Sequence, residues 1–189
     1  MALLMNILKR AGTISVAGLL ATALAHAAAV ESANAVLKDA NGQDVGTVSL
    51  SQTPAGVLLK LSVKGMPPGE HAFHIHAVGK CEPPSFDSAG PHFNPGNMRH
   101  GIMVGPGHAG DLPNLHIPPT GSLEVELVNA AITIDIAKPN SVFHPDGTAV
   151  VIHGGKDDYM TDPAGNASNR IACGVISQGP ITVGRTPAQ

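Results

Sequence analysis

The sequence has no tryptophan, one tyrosine and four phenylalanines, and only 13% of its residues are charged. With aromatics so scarce, any sizeable core must be built from aliphatic side chains. No segment sustains a helical period, which argues against bundles and long helices. Excess positive charge is also missing: the formal net charge is −3. An acidic chain has no overall attraction for nucleic acid or anionic membranes. The longest uncharged apolar run, residues 11–25, falls short of the roughly 20 residues that a spanning helix needs. What is abundant instead is glycine (22) and proline (16), which suits many short strands joined by turns.

The short apolar run has another use. Lys9 and Arg10 precede it and "AHA" (25–27) follows it. A basic start, an apolar middle and small residues at the end make a secretory signal peptide, here 1–27 with cleavage near Ala27. No cysteine lies near the cut, which argues against a lipid anchor. Losing Lys9 and Arg10 takes the formal charge from −3 to −5. The remaining length suits one domain: a short linker over 28–35, a folded domain over 36–178 and a loose tail over 179–189. Cys81 and Cys173 are the only cysteines. In an exported chain an even pair reads as a disulfide rather than as two free thiols.

Alternation of apolar and polar residues marks the strands. Val57, Leu59, Leu61 and Val63 form one set, Leu123, Val125 and Leu127 a second, and Ile132, Ile134 and Ile136 a third. Turn sequences separate them, among them "NG" at 41–42, "GMPPG" at 65–69 and "HPDGT" at 144–148. This spacing predicts an all-β sandwich or barrel. Two stretches break the pattern: 79–119, rich in Gly, Pro, His and Asn, and 154–172. Loops of that length in a compact domain are usually functional.

Histidine supplies the chemistry. In "GEHAFHIHAVGKC" (69–81) a strand puts His74 and His76 on one face, with Phe73, Ile75 and Ala77 on the other. His92, His100 and His108 recur at eight-residue spacing, Asp111 follows, and His153 ends "TAVVIH". Imidazole suits copper and zinc, and a carboxylate is a common additional zinc ligand. A cupin would need a glutamate three or four residues after the His-x-His pair, and Glu82 comes too late. A blue-copper site would need His or Met soon after its cysteine, and "GVISQGPI" after Cys173 has neither. His71, His116 and His144 read as ordinary surface histidines.

The segments "GEHAFHIHAVGKC", "SAGPHFNP", "HAGDLPNL", "VVIHGGKDD" and "NRIACGVI" occur in this order. Together they resemble copper/zinc superoxide dismutase from about Val36 to Ser177. The resemblance implies an eight-stranded Greek-key β-sandwich or barrel of immunoglobulin-like type with two long functional loops. It implies that copper and zinc are the cofactors and that superoxide is the substrate, converted to oxygen and hydrogen peroxide. Residue by residue, it implies copper on His74, His76, His92 and His153, and zinc on His92, His100, His108 and Asp111. His92 is then a bridge and a catalytic group, Asp157 orients ligands from behind, Cys81 and Cys173 form the disulfide, and Arg170 attracts the substrate.

The inserted "EPPSFD" (82–87) and the short, lysine-poor segment between His153 and Arg170 look like the bacterial secreted type, in agreement with a periplasmic or secreted location. Lys80, Arg99 and Lys156 are candidate steering charges. A homodimer is left open, and neither nucleic acid nor a membrane span is expected. The rival reading is a non-catalytic periplasmic copper/zinc carrier on the same fold.

Overall fold

The computed structural model describes residues 32–179, so the expected signal peptide with its cut near Ala27, and the tail from 180 onward, lie outside the described residues. In chain order the strands are β1 (Ser32–Asp39), β2 (Asp44–Thr53), β3 (Gly56–Val63), β4 (Gly69–His71), β5 (Phe73–His76), β6 (Leu115–Ile117), β7 (Leu123–Asn129), β8 (Ala149–His153), β9 (Arg170–Val175) and β10 (Ser177–Gln178). One 3₁₀ turn, Asp87–Ala89, is the only helical element among the described residues.

Eight strands form one curled antiparallel sheet in the order β5-β8-β9-β1-β2-β3-β7, with β10 also on β1; β4 and β6 pair separately. β1, β2 and β3 are successive neighbours. The chain then leaves β7 at one edge and returns through β8, beside β5 at the other edge, and this crossover gives the Greek-key character. β4 and β5 are separated only by Ala72. Alternation places Leu37, Leu50, Leu59, Ile75, Val150 and Ile152 inside, each fully buried, and each contributes on the order of 1.5–3 kcal/mol through burial. The core is aliphatic, as the composition requires.

Three expectations need correction. Residues 32–35, expected in a linker, begin β1 and pair with β2. Residues 115–117, expected inside a structureless loop, form β6. The alternating Ile132–Ile136 segment is not a strand. Ile132 and Ile134 are buried, but Ile136 is exposed. Local bonds take the backbone groups that a ladder would use: Asp135 N–H donates to Thr133 Oγ1, and Ala137 N–H donates to the Asp135 carboxylate.

Candidate metal centre

β5 pairs with β8 so that His74 lies opposite Val151 and His76 opposite Ala149. The His153 N–H donates to the Ala72 carbonyl at 2.9 Å. His74, His76 and His153 therefore share one face, while Phe73, Ile75, Val150 and Ile152 enter the main core. The segment after β5 folds back along the edge of β5 that β8 leaves free. Ile75 N–H donates to Gly110 O at 2.9 Å, and Phe93 N–H donates to Ile75 O at 2.8 Å. The approach requires glycine at 110, because a Cβ there would stand 2.2 Å from Ile75 O. Isolated bridges result between His74 and Asp111 and between His76 and His92.

Two groups of potential ligand atoms form here, each with all its atoms within 4.8 Å of one another. One contains His74, His76, His92 and His153; the other contains His92, His100, His108 and Asp111. His92 alone belongs to both. Acceptors behind the rings decide which nitrogens keep lone pairs. His76 Nδ1 donates to Gly90 O at 2.8 Å, and His153 Nδ1 donates to Ser168 O at 3.2 Å. Both Nε2 atoms are thereby left unprotonated, facing each other at 3.4 Å. The Asp157 carboxylate accepts from His74 Nε2 at 2.8 Å and from His100 Nε2 at 3.0 Å. His74 Nδ1, His92 Nε2, His100 Nδ1 and His108 Nδ1 are buried without a hydrogen-bond partner. Orphaned buried nitrogens are costly, and two facing lone pairs repel. A cation in each group relieves both penalties, so this donor set fits two metal ions.

Electrostatics agree. Burial pushes His74 down to about 4, His153 down to about 3, and His76 well below its ordinary value, so the rings are neutral donors at pH 7. Burial works against the Asp111 carboxylate, yet hydrogen bonds from His92, Gly101 and His108 hold it below the usual carboxylate range. Asp157 is likewise pushed up by burial, but bonds from His74, His100 and the Tyr159 N–H bring it to about 2.

Residues 45–176 match the family described as copper/zinc superoxide dismutase. The chain is 52% identical over 137 residues to the Aquifex aeolicus protein named superoxide dismutase [Cu-Zn] 1, covering 71% of this chain and 81% of the relative. The chain belongs to the copper/zinc superoxide dismutase family. Among solved structures, a SOD-like protein from Bacillus subtilis superposes with a TM-score of 0.73 at 34% identity, covering 75% of this chain and 96% of that one. The Brucella abortus Cu/Zn superoxide dismutase gives 0.66 at 31% identity, covering 78% and 100%. The family activity is dismutation of superoxide, with copper and zinc as cofactors.

Around the centre of this dismutase, Arg170 lies in register with His153. Its guanidinium donates to Phe86 O at 2.5 Å and to Gly90 O at 2.7 Å. Burial lowers its pKa and Asp87 opposes that effect. The Cys81–Cys173 disulfide forms, anchoring the same 82–90 segment to β9. A cleft of about 420 Å³ opens on His153, lined by Thr161, Asp162, Pro163, Ala164 and Ser168 among others. No helix among the described residues is long and apolar enough to cross a membrane.

Several positioning groups escaped sequence reasoning. His71 is buried rather than on the surface; its ring contacts His153 O at 2.8 Å and Pro67 O at 2.9 Å. Its parity was the available signal, since in sequence His71 keeps step with Phe73 and Ile75, although it ends β4 and they lie on β5. Asn114 grips the backbone of Asp157 from both sides, accepting from its N–H and donating to its carbonyl, each at 2.9 Å. His144 is half-buried against Phe93 with ring centroids 5.1 Å apart. His116 is exposed, as expected. Of the candidate steering charges, Lys156 lies 3.4 Å from Glu70, an exposed pair of small energetic weight. Lys80 and Arg99 are exposed.

Proposed function

We propose that His74, His76, His92 and His153 hold copper, that His92, His100, His108 and Asp111 hold zinc, and that superoxide is dismuted beside the first group. The observation that carries this reading is His92, the one residue common to both groups: its Nδ1 lies 2.9 Å from Asp111 Oδ1, and its Nε2 is buried without a hydrogen-bond partner. Copper, when bound, supplies the one-electron couple by which one superoxide is oxidised to oxygen and a second, with two protons, is reduced to hydrogen peroxide; zinc lacks redox chemistry.

The chain's own residues do the rest. Arg170 attracts the small anion and orients it next to His153, its fork fixed by two carbonyls. His92 Nε2, buried and without a protein partner, is where a proton is held and passed on. Asp157 fixes the rings of His74 and His100 and so couples the two groups.

Metal content and superoxide decay, measured on one preparation before and after loading, test this. One copper and one zinc per chain with fast decay is the expected result. Full loading without activity would leave a metal carrier. Arg170→Ala should retain copper, slow the reaction by roughly 10-fold or more and flatten its ionic-strength dependence. Arg170→Lys should recover part of the rate. Unchanged kinetics in the alanine variant would remove the role given to Arg170. Asp157→Ala should weaken retention of both metals by roughly 10–100-fold in chelator competition; loss of zinc alone would break the coupling argument.

The reading extends to a leader cleaved near Ala27, a domain over 36–178 with β1 preceding its expected edge, and a periplasmic or secreted location, with a homodimer left open. Bacterial relatives and the disulfide support export. Mass spectrometry of the secreted chain and sedimentation of the loaded protein test the cut and the dimer.

A further inference from the structure

The metal-bearing loops carry a second kind of donor that the histidine site does not use. The chain has six methionines. Met1 and Met5 lie in the N-terminal segment, and Met66 is core. The other three, Met98, Met103 and Met160, all lie on the loops around the zinc group, with exposures of 48%, 71% and 55%. Thioethers this exposed gain little from burial, so packing gives little reason for methionine at these positions.

Two of them are held close together. Met103 N–H donates to the Tyr159 carbonyl at 3.3 Å, and Tyr159 immediately precedes Met160. Adding the standard bond lengths puts the α-carbons of Met103 and Met160 within about 9 Å. A Cβ added at Gly101 would stand 3.0 Å from the Met160 Cα, a second sign that the segments touch. A further clamp joins the same loops: His100 N–H donates to the Asp162 carboxylate at 2.7 Å. Three rotatable bonds let each sulfur swing toward the other. Neither methionine lines the cleft that opens on His153, but Thr161, the residue after Met160, does.

We propose that Met103 and Met160 form a thioether site for a soft monovalent cation, copper(I), at the rim of the cleft leading to His153. Thioether sulfur selects copper(I) over the divalent ions that imidazole and carboxylate hold. The pair therefore does not compete with the histidine groups for zinc or copper(II). Given the copper assignment of the His153 group proposed above, on which this role rests, the pair is suited to receive copper(I) from outside and release it toward that group, a transfer that changes ligands and moves no electron.

Silver(I), closed-shell like copper(I), is the probe. Copper- and zinc-loaded protein, kept reduced and labelled at the methionine methyl carbons, is titrated with silver(I). Shifts of the Met103 and Met160 methyl signals, with Met66 unmoved, are expected. The Met103→Leu/Met160→Leu variant, which nearly conserves volume, should lose silver affinity by about tenfold or more, while Met98→Leu keeps it. From a buffered copper(I) donor, the double variant loaded with zinc alone should fill more slowly to the same final copper content. Wild-type protein that takes up no silver, or a double variant that binds it equally well, overturns the site, as does loss in Met98→Leu alone. Dismutation measured on the same preparations reports the histidine centre separately.

Discussion

Replacing both Cys81 and Cys173 by serine should lower unfolding stability by roughly 4–5 kcal/mol, the chain-entropy value for closing a loop of this length. The bridged residues are 92 apart in sequence. For a domain of this size that corresponds to a fall of roughly 10–15 °C in melting temperature. The site should feel the loss unevenly. Cys173 packs with Phe86, Ala89, Ala149 and Val151 in a small cluster of its own, and Cys81 rests against it. The 82–90 segment between them offers Phe86 O and Gly90 O to Arg170, and Gly90 O also to His76 Nδ1. Without the bridge, the acceptors that fix Arg170 and the His76 tautomer move together. Copper retention and rate should therefore drop. His100, His108 and Asp111, held instead through Asp157 and by the N–H groups of Gly101 and His108, should keep most of their zinc. Thermal denaturation with metal analysis checks this. An unchanged melting temperature, or zinc lost as fully as copper, would show that the disulfide is not the anchor of this segment.

This division between side chains and what holds them also explains which parts of the molecule were legible in sequence. Strand parity placed His74 and His76 on a face away from Phe73 and Ile75, because a period of two needs no tertiary information. The same parity would have buried His71, but a single histidine gave no reason to apply it. The supports of the rings were hidden for a different reason. His76 and His153 are oriented by the carbonyls of Gly90 and Ser168, and a carbonyl is present at every residue, so sequence does not mark the two that matter. Gly165 shows the same limit. With φ at +63°, it lets the second loop pass over the centre where a Cβ would meet Asp157 Oδ1 at 1.9 Å and His100 Nε2 at 2.8 Å, yet in sequence it is one glycine of 22. The Ile132–Ile136 segment misled in the opposite direction. Its alternation is real and two of its isoleucines are buried, but Thr133 and Asp135 turn the backbone back on itself.

The metal-free protein should lose stability steeply as pH falls from about 7 to about 4. His74, His76 and His153 are buried neutral, with His74 near 4 and His153 near 3, whereas in the unfolded chain each titrates near 6.5. Between those values the unfolded state binds protons that the folded state refuses. The slope of unfolding free energy against pH is then positive: stability is complete above about 7 and drains away as pH drops. His74 alone accounts for roughly 2 kcal/mol between pH 7.5 and 5. Two to three such rings imply that unfolding takes up between two and three protons at pH 5. Asp157, brought to about 2, adds a loss of the same sign below the ordinary carboxylate range. Filling the two groups with metal should move the window to lower pH, because a coordinated nitrogen has no lone pair left for a proton. Urea unfolding at several pH values, with and without copper and zinc, measures both effects. A flat metal-free curve from pH 7.5 to 5 would mean that the rings accept protons in place. The facing Nε2 atoms of His76 and His153, at 3.4 Å, would then share a proton instead of awaiting a cation, and the fit of this donor set to metal would lose its main support.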